Sequence, residues 1–115
     1  MNKSLKFKLD LLLDRYEELG ALLSDADVIS DQNRFRSYSK EYADIEPVVI
    51  CFRQFELESS ELKDAQAMLR DPDDDIREMA ETEIGELENS LEILDSGLQK
   101  LLLLKDPHDA NNVFL

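Results

Sequence analysis

Leu5, Leu9, Leu12, Tyr16, Leu19 and Leu23 are separated by alternating steps of four and three residues. Ala80, Ile84, Leu87, Leu91, Leu94, Leu98 and Leu101 repeat those steps near the other end. Such spacing keeps apolar side chains on one stripe of an α-helix. It predicts a first helix over residues 3–23 and a last helix over 72–104, each with a seam that must be covered. At ~1.5 Å per residue the last helix would be about 50 Å long, beyond the ~30 Å of a small domain, so an elongated molecule is expected. Between them, Phe35, Tyr38, Tyr42 and Ile45 share a face as far as Pro47. Proline lacks the backbone N–H and disfavours helical geometry in the residue before it. A break or kink at 44–46 is therefore expected, with Pro47 opening a further helix. Val48, Phe52, Phe55, Leu62 and Leu69 continue in a shifted phase, with Ser59 and Gln66 at seam positions. Polar residues in a seam fix register at some cost in stability.

The punctuation supports that division. Gly20 falls near the end of the first helix, where it marks fraying or admits a neighbouring backbone. Residues 24–30 read as a connection, Ser30 as an N-cap, and Asp31 as a first-turn acid favoured by the helix dipole. In Asp71-Pro72-Asp73-Asp74-Asp75, Asp71 can cap, Pro72 fills the first helical position and the acids follow. Three Gly and three Pro in 115 residues are too few for the turns of a β structure. The fold expected is all-α: an elongated, antiparallel, coiled-coil-like bundle of three or four helices over 1–104, with 105–115 as a linker.

Charge narrows the partners. The formal net charge is −14, and binding to phosphate backbones depends on Lys and Arg displacing counterions. Protein partners are favoured. No apolar run is long enough to span a bilayer, and Lys3, Lys6 and Lys8 lie in a helical pattern with no signal-peptide apolar block. A cytoplasmic chain is expected. Cys51 is the only cysteine and His108 the only histidine, which excludes an internal disulfide and a structural zinc site made by this chain alone.

Each candidate site has a plainer reading beside it. Asp71, Asp73 and Asp75 are spaced like the start of a calcium loop, but Ile76 and Thr82 stand where that loop needs Gly and Glu, so capping is the better account. His108 between Asp106 and Asp109 has no nucleophile near it and reads as a loop residue. Cys51, beside Val48 and Phe55, reads as a small buried hydrophobe. Ten acids from Asp73 to Asp95 stand against Arg77 and Lys100, a solvated face with no base or nucleophile opposed to it. No catalytic, cofactor-binding or metal residue is expected. Arg34, Arg36 and Lys40, close to Tyr38 and Tyr42, form the main basic cluster. Aromatic rings at this spacing are more often core than stacking platforms, and beside that plainer reading the cluster is a candidate contact patch for RNA or an acidic protein.

The run Val28-Ile29-Ser30-Asp31-Gln32-Asn33-Arg34-Phe35, then Lys40-Glu41-Tyr42-Ala43, and the closing LLLLKDPHDANNVFL carry a resemblance. Together they resemble, over the whole chain, the N-terminal domain of bacterial class I peptide chain release factors. The most specific part is Leu103-Leu104-Lys105-Asp106-Pro107 with Asn112. It resembles the release factor 1 branch, which reads UAA and UAG; the related factor for UAA and UGA generally lacks the Lys-Asp-Pro ending. Leu104 stands where the family normally has Pro, which lets the helix run further.

The resemblance implies a helical arm that meets the stalk base of the large ribosomal subunit, its ribosomal protein and nearby rRNA, and that influences a translational GTPase. In the family a Pro-x-Thr tripeptide reads the stop codon and Gly-Gly-Gln promotes peptidyl-tRNA hydrolysis. Neither occurs in these 115 residues, so the chain is expected not to be an enzyme itself and to lead toward codon-reading and Gly-Gly-Gln domains after Leu115. The other reading is a free-standing helical adaptor or dimerisation module. A release-factor arm is expected to be monomeric or to form only a weak homodimer in isolation.

Overall fold

The computed structural model of the chain describes residues 2–104. Within them it is all-α, with four helices: α1 (Lys3–Leu22), α2 (Ala26–Ile29), α3 (Gln32–Met68) and α4 (Asp74–Leu104). The ends are set by short polar side chains that satisfy otherwise unpaired backbone N–H groups. Asn2 caps α1, its Oδ1 accepting from the Leu5 N–H at 2.8 Å. The expected connection after α1 instead holds α2, one turn capped by Asp25, whose Oδ1 accepts from the Asp27 N–H at 2.8 Å. Buried Val28 anchors that turn.

Two caps differ from expectation. Asp31, not Ser30, caps α3: its Oδ1 accepts from the Arg34 N–H at 3.2 Å, while the Ser30 hydroxyl donates to the Asp27 carbonyl and closes α2. At the last helix the cap is Asp73, accepting from the Asp75 N–H at 2.9 Å, and Pro72 lies outside the helix. Asp71 stands one step earlier, accepting from the Asp73 N–H at 2.9 Å. A carboxylate two residues closer to the helix was available, and it took the role.

The expected break at Pro47 is absent. One helix of 37 residues runs through it. Proline in a helix interior deprives the carbonyl four residues back of its partner, here Ala43. Ala43 and Pro47 are both exposed, so water can take up that carbonyl on the solvent side of the helix.

The chain forms two compact units. The first holds the described residues through Ile50 and those from Gln99 on; the second is Cys51–Leu98. In the first, Tyr16 reaches Glu46 and Gly20 faces Tyr42. Going back four residues on α1 moves forward four on α3, so the two are antiparallel. Leu5, Leu9, Leu12, Tyr16 and Leu19 are buried as the spacing requires, and so are Val28, Ile45, Val48, Val49 and Leu102 of the same unit. Phe35 is exposed, and Leu102 takes the buried position expected of Leu101. The neighbour admitted by Gly20 is a side chain: a Cβ there would sit 3.7 Å from the Tyr42 ring.

In the second unit, Cys51 Sγ lies 3.6 Å from the Leu94 carbonyl oxygen, and Ser90 hydrogen-bonds Glu58. Moving forward on α3 moves backward on α4, an antiparallel hairpin. Its buried residues are Ala65, Ala80, Leu87 and Leu98. The alanines let helix axes approach closely, but at ~0.8 kcal/mol per buried methylene they contribute less than the leucines of the first unit. Ile84, Leu91 and Leu94 are half-buried, as are Phe52, Phe55 and Leu62, whereas Gln66 and Leu69 are exposed. Helix α4 is helical through Leu104, the last described residue.

Candidate partner-contact surface

The first unit is locked by an ionic and aromatic joint between α1 and α3. Arg15 donates from Nε and Nη2 to the two carboxylate oxygens of Glu41, at 2.6 and 2.8 Å, and from Nη1 to Glu18 at 2.8 Å. Its guanidinium carbon lies 5.8 Å from the Tyr38 ring centroid, within cation–π range. The hydrogen bonds with Glu41 and Glu18 hold Arg15 more firmly protonated than usual. One turn on, the Tyr16 and Tyr42 rings stack with centroids 4.1 Å apart and planes 14° from parallel. The Tyr16 hydroxyl donates toward Glu46 at 3.4 Å. Hydrogen bonding with Tyr42, then burial, then the charges of Tyr42 and Glu46 push that hydroxyl up to about 12.

This joint decides how the basic cluster is disposed. Tyr38 and Tyr42 are half-buried against α1 and are not an outward stacking platform. Arg34 is exposed but bonded at the α2–α3 corner, donating from Nε to Asp31 Oδ2 at 3.2 Å and from Nη2 to the Asp27 carbonyl at 3.4 Å. At 3.6 residues per turn, Arg36 and Lys40 are both turned about 160° from Tyr38. The structure therefore divides Arg34, Arg36 and Lys40: the first closes a corner, and the other two form an outward pair one turn apart, both exposed.

The acids of α4 from Asp74 to Glu92 are exposed; Asp95 is half-buried. Asp71 and Asp73 direct side-chain oxygens to backbone N–H groups of the α4 entry. Arg77 ties that entry together, donating from Nη1 to the Asp71 carbonyl at 2.6 Å and pairing with Asp74. Cys51 is half-buried, and burial pushes its thiol up, away from the thiolate that reactive cysteines need. Glu58, facing Ser90 and accepting from Gln54 Nε2 at 2.6 Å, is held below the usual carboxylate range by those two bonds. His108, with Asp106 and Asp109, lies outside the described residues.

The spacing of apolar residues did not single out the Arg15–Glu41–Glu18 group or the Tyr16–Tyr42 stack. The local signal was Arg15 three residues from Glu18; the reach to Glu41 depends on the antiparallel packing. The surface offers acids in solvent along α4 and, on the outward side of α3, the Arg36–Lys40 pair.

A family model, that of the PCRF domain, matches residues 12–115. The chain belongs to the PCRF family. PCRF chains are class I release factors, so this one acts in release-factor-type translation termination and interacts with the ribosome. The all-α structure of this PCRF chain agrees with the resemblance drawn from its sequence. No helix among the described residues is long and apolar enough to cross a membrane.

Proposed function

We propose that the chain is the N-terminal helical arm of a release factor of the branch that reads UAA and UAG, and that the arm contacts the stalk base of the large ribosomal subunit. The observation that carries this reading is the PCRF match, which extends through Lys105-Asp106-Pro107 and Asn112. The exposed acids of α4 favour the stalk-base ribosomal protein over rRNA as the main contact, because phosphates are repelled there. Arg36 and Lys40 are the exception, an outward cationic pair suited to a phosphate. The chain itself performs no hydrolysis on this reading. It positions, and codon reading and peptide release belong to Pro-x-Thr and Gly-Gly-Gln motifs that do not occur in these 115 residues. A cytoplasmic location follows from that role.

Co-sedimentation with purified large subunits tests the arm. The expected result is binding that is lost when the stalk-base protein is stripped; binding that survives stripping, or no binding, overturns the contact. The branch is tested separately with the full gene product in a peptide-release assay. Release at UAA and UAG but not UGA is expected, and release at UGA refutes the assignment.

A further inference from the structure

Helix α3 carries, within the second unit, a face of exposed and half-buried residues. Phe52, Phe55, Glu56, Ser59, Ser60 and Lys63, all from this one helix, line an open depression of about 360 Å³. The two rings are half-buried, and Glu56 and Lys63 are exposed. At 3.6 residues per turn, Glu56 and Lys63 fall within about 20° of one line along the helix, and Ser59 and Ser60 straddle it. Phe52 and exposed Ala67 straddle the same line further out.

This stripe is symmetric about the point between Ser59 and Ser60. A reversal of the helix about that point exchanges Ser59 with Ser60, Glu56 with Lys63, and Phe52 with Ala67. Along the line these exchanges place an acid against a base, a large ring against a small methyl, and two small residues where the backbones cross, while Phe55, about 90° off the line, exchanges with Asp64 at the rim. We propose that this face is a self-association surface on which two copies of the chain pair antiparallel, Glu56 of each copy against Lys63 of the other.

A two-fold interface must be complementary to itself, and this stripe is. Glu56 and Lys63 lie about 5 Å either side of the axis, at ~1.5 Å per residue, so both ion pairs form at once. Solvent-exposed ion pairs add little affinity by themselves. The attraction comes from covering Phe52, and the ion pairs select the antiparallel register. A phosphate-bearing occupant is disfavoured because the stripe's lone lysine is matched by a glutamate. The charge of −14 per copy opposes association, but at physiological ionic strength it is screened beyond about 8 Å. The expected dimer is therefore weak and visible only at high concentration.

The test is sedimentation velocity of the whole chain and its variants, from micromolar to millimolar concentration, with circular dichroism to confirm folding. The unaltered chain should dimerise with rising concentration. Glu56→Lys and Lys63→Glu should each weaken association about tenfold or more, since each sets two like-charged pairs across the axis. The double variant E56K/K63E should restore it, because opposites again meet. A chain that stays monomeric at millimolar concentration overturns the proposal. So does a dimer indifferent to the single swaps, or one that the double swap fails to restore.

Discussion

Pro47 offers the sharpest check on the fold, because its two placements predict opposite signs. In the structure it lies inside α3. A proline in a helix interior costs about 3 kcal/mol relative to alanine, through the lost hydrogen bond and the clash of its ring with the preceding turn. Part of that cost is offset: proline restricts the unfolded chain, which is worth about 0.4–1 kcal/mol. Ala43 is also exposed, so water can replace the missing donor. Pro47→Ala should therefore stabilise the chain by about 2 kcal/mol. At roughly 4 °C per kcal/mol for a domain of this size, the midpoint of thermal unfolding followed by circular dichroism at 222 nm should rise by about 8 °C. Had Pro47 opened a separate helix, its fixed φ would favour that first position and alanine would lower the midpoint. A fall, or no change, would refute the continuous α3 and restore the break.

Four further outcomes follow from named contacts. Leu102 is fully buried whereas Leu101 is half-buried, so urea denaturation should show Leu102→Ala costing about 2–4 kcal/mol and Leu101→Ala clearly less. A double-mutant cycle on Arg15→Ala and Glu41→Gln should give a coupling of about 0.5–1 kcal/mol, at the upper end for a half-exposed pair because it is bidentate; zero coupling would show that the geometry does not persist in solution. Asp31→Ala should lower stability by about 1 kcal/mol through loss of the α3 cap, and Ser30→Ala by only a few tenths, the reverse of what the sequence suggests. The Tyr16 hydroxyl is raised in the folded state, to about 12, so its contribution is present below the ordinary value near 10 and lost as pH rises through about 12. An unfolding titration over that window should fall less steeply in Tyr16→Phe than in the unaltered chain, and equal slopes would remove Tyr16 as the cause.

Where one partner faces a helix along its length, the sequence announced the packing. Leu5, Leu9, Leu12, Tyr16 and Leu19 keep one phase because α1 buries one stripe, and all five are buried. Helix ends were less legible, because Ser30, Asp31, Asp71 and Asp73 are all competent caps and tertiary packing chooses among neighbours. The candidate surface was legible in composition but not in grouping. Arg34, Arg36 and Lys40 are close in sequence, yet helix geometry points Arg34 one way and the other two another.

Helix α3 shows why one period could not describe its sequence. In the first unit its buried and half-buried positions include Tyr38, Tyr42, Ile45 and Val49; in the second they are Cys51, Phe52, Phe55, Glu58, Ser59, Leu62 and Ala65. At 3.6 residues per turn the centres of these two sets differ in phase by roughly 120°. The phase shift near Pro47 is therefore real, but it records a change in what the helix packs against and not an interruption of the helix. A proline beside a phase shift mimics a break when only the sequence is considered. Within the second unit, Glu56, Ser60 and Lys63 are exposed and Phe52 and Ser59 half-buried. The polar Ser59, read as a seam residue that fixes register, then acquires a different place: it flanks the line about which α3 is complementary to a second copy of itself.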